Sequence, residues 1–188
     1  MNWTIPGTVL EIPRSEAAHF PEQLGAMFLG GGIVLSQVSA VTGLETHSIQ
    51  NWVKRGFLPP PVQKRYDIDQ LSRIATINAL NGVLSMDRIC GLLGYVNGQL
   101  DDDSDNLIRD SQLYLLFVDL AARVKELYSD QQRDSLLDQA LADYQEPAPG
   151  ARERVKNVLR IMLTAWLAAR MRQEAEKMIL SIEKENAL

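Results

Sequence analysis

The sequence contains a single cysteine and two histidines in 188 residues. One cysteine excludes an intramolecular disulfide and a cysteine metal cluster, and makes a reducing, cytoplasmic setting the default expectation. His19 and His47 are isolated from each other and no His-Glu-x-x-His run occurs, so no metal site is expected. No apolar run approaches the roughly 20 residues that span a bilayer. The opening stretch lacks a basic region followed by a long apolar core, so neither a membrane segment nor a signal peptide is expected. Gly-x-Gly-x-x-Gly and Gly-x-Ser-x-Gly spacings are missing, as are paired carboxylates with a placed histidine. The glycines at 30–32 are followed by no Lys-Ser/Thr pair and read as a helix stop and joint. No enzyme and no cofactor are expected.

What is present is an ordinary globular balance, 46% apolar and 23% charged, with ample length for a buried core. The net charge of -5 is unevenly spread. Residues 33–90 carry six basic and four acidic side chains, whereas residues 91–150 carry four basic against twelve acidic. An acidic chain therefore retains a locally basic stretch, the footprint that a nucleic-acid partner requires.

Residues 1–19 are punctuated by proline and read as irregular, and a short helix begins at Pro21. In "LSQVSAVTGLETHSIQNWVKRG", Ser36 is the expected cap of a helix with Val38 and Val41 inward, stopped at Gly43. A second helix over 46–55 puts Ile49, Trp52 and Val53 on one face and ends at Gly56. Two short helices joined by a glycine turn form a helix-turn-helix pattern. In "FLPPPVQKRY" the prolines forbid helix, so 57–58 and 64–66 are expected as extended segments of a small hairpin or wing. Asp67 with Gln70 predicts a capping box for a helix with Leu71, Ile74 and Ile77 inward. Ser85 is the expected cap of another helix, carrying Ile89, Leu92 and Leu93 and ending at Gly94, with Cys90 a buried thiol.

"DDDSD" at 101–105 is read as a solvated acidic linker; a calcium loop from Asp101 would need Gly and Glu where Asn106 and Gln112 stand. A helix over 107–128 is apolar almost all round between Leu113 and Leu120, so it must be covered on more than one side. Ser129 with Gln132 predicts a further cap, followed by a stripe of Leu137, Leu141 and Tyr144. "QEPAPG" breaks the chain, and a last helix over 151–183 would be roughly 48 Å long.

The order of helix, glycine turn, helix, "QNWVKRG", "PPP" and "KRY" resembles the MerR-like winged helix-turn-helix, and most closely the uncharacterised bacterial YkrK-like family. The resemblance covers about residues 20–130. It implies a recognition helix at "QNWVKRG" and a wing at "KRY". The expected fold is therefore all-α, mainly helical, with a small β wing. A lead-in over 1–32 precedes a winged helix-turn-helix over 33–100, and a carboxy-terminal helical, dimerising region spans 101–188.

These elements define a candidate site. In a winged helix the second helix enters the major groove of double-stranded DNA while the wing meets phosphates. Lys54, Arg55, Lys64 and Arg65 are the expected phosphate contacts. His47, Ser48, Gln50 and Asn51 occupy the outward face, and Gln and Asn side chains read adenine bidentately. Tyr66 either bonds a phosphate or anchors the wing, while Trp52 and Ile49 are expected in the core. The function implied is sequence-specific transcriptional regulation. The alternatives are a winged protein-interaction module without DNA binding and an excisionase-like architectural protein. The first is favoured by the overall acidity and by His47 and Gln50, where MerR proteins carry arginine. The apolar stripe Val155, Leu159, Met162, Trp166 and Ala169 predicts a homodimer through the last helix. Nothing in the sequence identifies an effector.

Overall fold

Local signals set most helix boundaries. Asp67 accepts from the Gln70 N–H at 2.8 Å while the Gln70 side chain accepts from the Asp67 N–H at 2.9 Å, the reciprocal box that the sequence predicts. Ser129 and Gln132 repeat that exchange. The computed structural model describes residues 2–98, 100, 102–124 and 129–186. Among these it is mostly helical, with two small two-stranded sheets. Strands β1 (Asn2–Thr4) and β2 (Glu11–Pro13) form an antiparallel hairpin, followed by a 3-10 turn over Arg14–His19 and helix α1 (Phe20–Ala26). Strand β3 (Ile33–Val34) leads into α2 (Leu35–Thr42) and α3 (Thr46–Lys54). Then come β4 (Arg65–Tyr66), α4 (Ile68–Leu80), α5 (Met86–Asn97), α6 (Asp110–Arg123), α7 (Asp130–Ala140) and α8 (Ala151–Asn186).

Helix α6 is the centre of the core. Leu113, Tyr114, Phe117 and Leu120 are all at most 1% exposed, and each such side chain contributes about 1.5–3 kcal/mol by leaving water. The helix packs mainly against α4, α7, α8 and the 3-10 turn. Phe117 meets Trp166 of α8 edge-on at 6.3 Å, and Tyr114 meets Phe20 of α1 in the same manner. The Tyr114 hydroxyl donates to the Pro6 carbonyl at 2.8 Å, and burial pushes its pKa well up. Arg14 closes the end of α6 by donating to the carbonyls of Ala121, Ala122 and Val124. One hydrophobic cluster runs through residues of the lead-in, the helix pair and the carboxy-terminal helices.

Several expectations change. Residues 1–19 are not irregular, because 2–13 form a hairpin whose Trp3 and Ile5 enter the core. Helix α2 starts one residue before Ser36; Val34 is its N-cap, its N–H satisfied at 2.9 Å by the Gln37 side chain. Helix α5 runs through Gly94 to Asn97, and Leu92 is only half-buried. Helix α6 begins at Asp110 rather than 107, and residues 125–128 of the expected helix lie outside the described residues, as does Asp101.

The largest correction concerns the predicted dimer stripe. Val155, Leu159, Met162, Trp166 and Ala169 are all buried within the one chain. Helices α4, α5, α6 and α7 pack on α8 and cover the face that the sequence assigned to a second copy. Beyond Arg170 the helix leaves that support, and Met171, Met178, Ile179, Leu180 and Ile182 are each more than half exposed. Among the described residues no helix is long and apolar enough to cross a membrane.

Candidate nucleic-acid interface

The turn between α2 and α3 is fixed by short-range polar contacts. Gly43 adopts φ +71°, a left-handed conformation that costs glycine little, and its N–H donates to the Ser39 carbonyl at 2.8 Å. Ser39 Oγ donates to the Leu44 carbonyl at 2.6 Å, and Thr42 Oγ1 donates back to Val38 at 2.8 Å. The side chains of Val38, Ile49 and Trp52 lie in the core, so the relative setting of the two helices is held by packing as well as by hydrogen bonds.

Helix α3 divides cleanly. Ile49 and Trp52 face inward, as expected. His47, Gln50, Asn51 and Lys54 are exposed and follow the i, i+3, i+4, i+7 spacing of a single stripe. Ser48 is half-buried beside that stripe. At the end of the helix the Phe57 N–H donates to the Trp52 carbonyl and the Gly56 N–H to that of Val53, the paired bonds of a Schellman stop. Arg55 is exposed, with its guanidinium 4.6 Å over the Phe57 ring. That contact aims the charge without neutralising it.

The proline segment is clamped from α4. The Gln70 amide donates to the Pro59 and Pro60 carbonyls at 3.2 and 2.9 Å, and Arg73 Nε donates to Phe57 at 3.1 Å. The chain then reverses at Val62–Arg65, whose terminal residues exchange backbone hydrogen bonds of 3.0 and 2.9 Å. Gln63 and Lys64 both take positive φ, +50° and +63°, as a two-residue hairpin turn demands but as neither side chain prefers.

The pairing expected between 57–58 and 64–66 does not form. Strand β4 pairs instead with β3, Val34 opposite Arg65 and Ile33 opposite Tyr66. Leu58 is 2% exposed, because its side chain enters the core where a free hairpin arm would have kept it out. The sequence carries no local signal for β3, since a two-residue strand paired across some thirty residues leaves no periodicity to read.

The predicted phosphate contacts fare unequally. Lys54 and Lys64 are exposed, and so is Arg65, although Arg65 Nη1 donates to the Gly32 carbonyl at 2.7 Å and ties the glycine loop to the turn. Tyr66 is 3% exposed and belongs to the core cluster, so it anchors the strand and is no outward contact. Burial raises its pKa and keeps the phenol protonated. Cys90 is half-buried with a raised pKa, chiefly from burial, which leaves it a neutral thiol.

A family model described as a domain of unknown function (DUF1836) matches residues 33–117, from the first residue of β3 to the middle of α6 and under half of the chain. No curated protein and no solved structure matches the chain. The matched segment contains the helix pair, both strands of the second sheet, the proline clamp and α6 residues at the centre of the core.

Proposed function

We propose that this protein binds double-stranded DNA in a sequence-dependent way and acts as a transcriptional regulator. In this reading α2 and α3 form a MerR-like winged helix-turn-helix, similar to the YkrK-like proteins, with the 62–65 turn as its wing. Helix α3 enters the major groove and the turn meets phosphates. The observation that carries the reading is the exposed stripe His47, Gln50, Asn51 and Lys54 on a helix whose opposite face is locked into the core. Gln50 and Asn51 have the donor–acceptor pairs that read an adenine edge, and Lys54, Arg55, Lys64 and Arg65 supply positive charge around them. The exposed polar groups are thus those a groove-reading helix requires, on a rigid mount.

Two copies would act together. The distal part of α8 carries Met171, Ala175, Met178 and Ile182 at alternating four- and three-residue steps, all exposed. A single projecting helix of that length is marginal in water, and pairing it with a second copy would bury the stripe. Two DNA-reading units on one dimer raise affinity through effective concentration.

Fluorescence anisotropy of a labelled duplex against increasing salt tests the reading. Binding should weaken linearly in log–log form, with a slope near 0.9 per phosphate contact. Selection of bound fragments from genomic DNA should then return an inverted repeat. Absence of salt-sensitive duplex binding would instead favour the winged interaction module.

A further inference from the structure

A groove of about 520 Å³ lies on α6, between the 3-10 turn with the start of α1 on one side and the end of α7 on the other. That volume is within the range that holds a small ligand. Its floor carries Leu115 and Leu116, which stay half-buried on a helix whose other large apolar side chains are buried. Ala18 and Pro21, both exposed, stand on the first side, and Ala140 and Tyr144, both half-buried, on the second.

Both sides are fixed by contacts of their own. Arg14 ties the 3-10 turn to the carbonyls of Ala121 and Ala122, and Phe20 meets Tyr114 edge-on. Across the groove, the Tyr144 hydroxyl donates to the Leu107 carbonyl at 2.6 Å, which sets the position of its ring. The groove is therefore preformed, and little ordering of the chain opposes a ligand that enters it.

Its charge is of one sign. Asp119 and Asp143 line the groove, and among the described residues no lysine, arginine or histidine does. Asp119 accepts from Arg123 at 2.9 Å and is largely balanced. The Asp143 carboxylate is exposed, and among the described residues it accepts no hydrogen bond and joins no ion pair. Tyr144, next to it in the chain, brings an aromatic ring, which attracts cations over its face. A solvated carboxylate alone is ordinary surface. A carboxylate and an aromatic ring beside an open apolar floor, with no base among them, are the parts that recognise an amphipathic cation. We propose that the groove binds a small amphipathic amine, its hydrocarbon part against Leu115 and Leu116 and its ammonium at Asp143. An apolar acid would meet two carboxylates there, and a neutral apolar molecule would gain nothing from Asp143.

The test follows alanine and leucine methyl resonances of the ¹³C-labelled full chain and does not involve DNA, so it stands apart from the proposed function. Hexylamine and phenylethylamine are titrated at neutral pH to roughly ten millimolar, with hexanol and hexanoate as controls. At least one amine should shift the Leu115, Leu116 and Ala18 signals saturably and leave Leu58 unmoved. Asp143→Asn, at an exposed position, should keep the fold and weaken amine binding about threefold. Hexanol should bind more weakly than the amine and equally to both chains, and hexanoate more weakly still. No saturable shift with either amine, equal binding of amine and hexanol, or an amine affinity undiminished by Asp143→Asn would overturn the proposal. Signals that move with protein concentration alone would give the groove to a second copy and overturn it as well.

Discussion

Arg73 and Asp110 join α4 to the first turn of α6 through a largely buried ion pair, Nη1 to Oδ2 at 3.2 Å with side chains 5% and 17% exposed. Arg73 also holds the Phe57 carbonyl at the end of α3, and Asp110 accepts from the Asn97 amide at 2.8 Å. The position of the proline segment is thereby linked to the central helix. A pair this dry contributes little net stability, yet its breakage strands a charge in the core. Asp110→Ala should lower unfolding stability by about 3–5 kcal/mol, and Asp110→Asn by less, in urea titrations. A loss under about 1 kcal/mol in both would mean that water reaches Arg73 freely.

Trp52 carries no expected contact of its own. Its indole is 7% exposed and its carbonyl accepts the Phe57 N–H that closes α3. Trp52→Ala should cost about 3–5 kcal/mol through the cavity it leaves. A variant that keeps wild-type stability while losing DNA would turn the residue into a contact and remove the inward assignment.

The 62–65 turn separates charge from strain. Lys64→Gln should lower the salt slope of DNA binding by about one unit, on all sequences alike. Lys64→Gly removes the same charge but relieves a left-handed backbone, so it should raise stability by about 0.5–1 kcal/mol while weakening binding equally. Unchanged DNA affinity in both variants would take the turn out of the interface.

Gln50 and Asn51 should carry the sequence preference. Alanine at either site should relax specificity at one or two positions, each worth about 1–3 kcal/mol for a bidentate contact. The measurement is a binding-site profile for each variant, and two profiles identical to wild type would leave the stripe without a reading role.

Short-range chemistry was legible in the sequence, and covering partners were not. The Asp67–Gln70 and Ser129–Gln132 boxes, the Gly43 stop and the inward Ile49 and Trp52 all rest on neighbours within five residues, and each has its expected place. Strand β3 pairs with residues about thirty positions away, so the partner of Arg65 and Tyr66 had no local signature. The hairpin at 2–13 has strands of three residues, too short for alternation to register. The α8 stripe was read correctly as apolar and given the wrong cover. Periodicity states that a face is buried and is silent on whether the same chain or a copy does the burying.

That distinction decides how the dimer is tested. Truncation near Gln145 would remove Val155, Leu159 and Met162 from the core and unfold the chain, so it cannot report on association. The side chains of residues 174–183 are all exposed, while Arg172 still reaches the Gly82 carbonyl at 3.0 Å. A chain ending at Gln173 should therefore stay folded. Along the distal helix, 170–177 holds three basic and two acidic residues, and 178–186 holds one basic and two acidic. An antiparallel pair sets the more basic half of one helix against the more acidic half of the other, whereas a parallel pair sets like against like. Met178→Glu with Ile182→Glu places charges in the seam without touching the core. Sedimentation equilibrium at micromolar concentration should give a dimer for the full chain, and a monomer for both the shortened chain and the double variant. A full chain that stays monomeric removes the pairing. A dimer that survives the double substitution moves the interface to another surface.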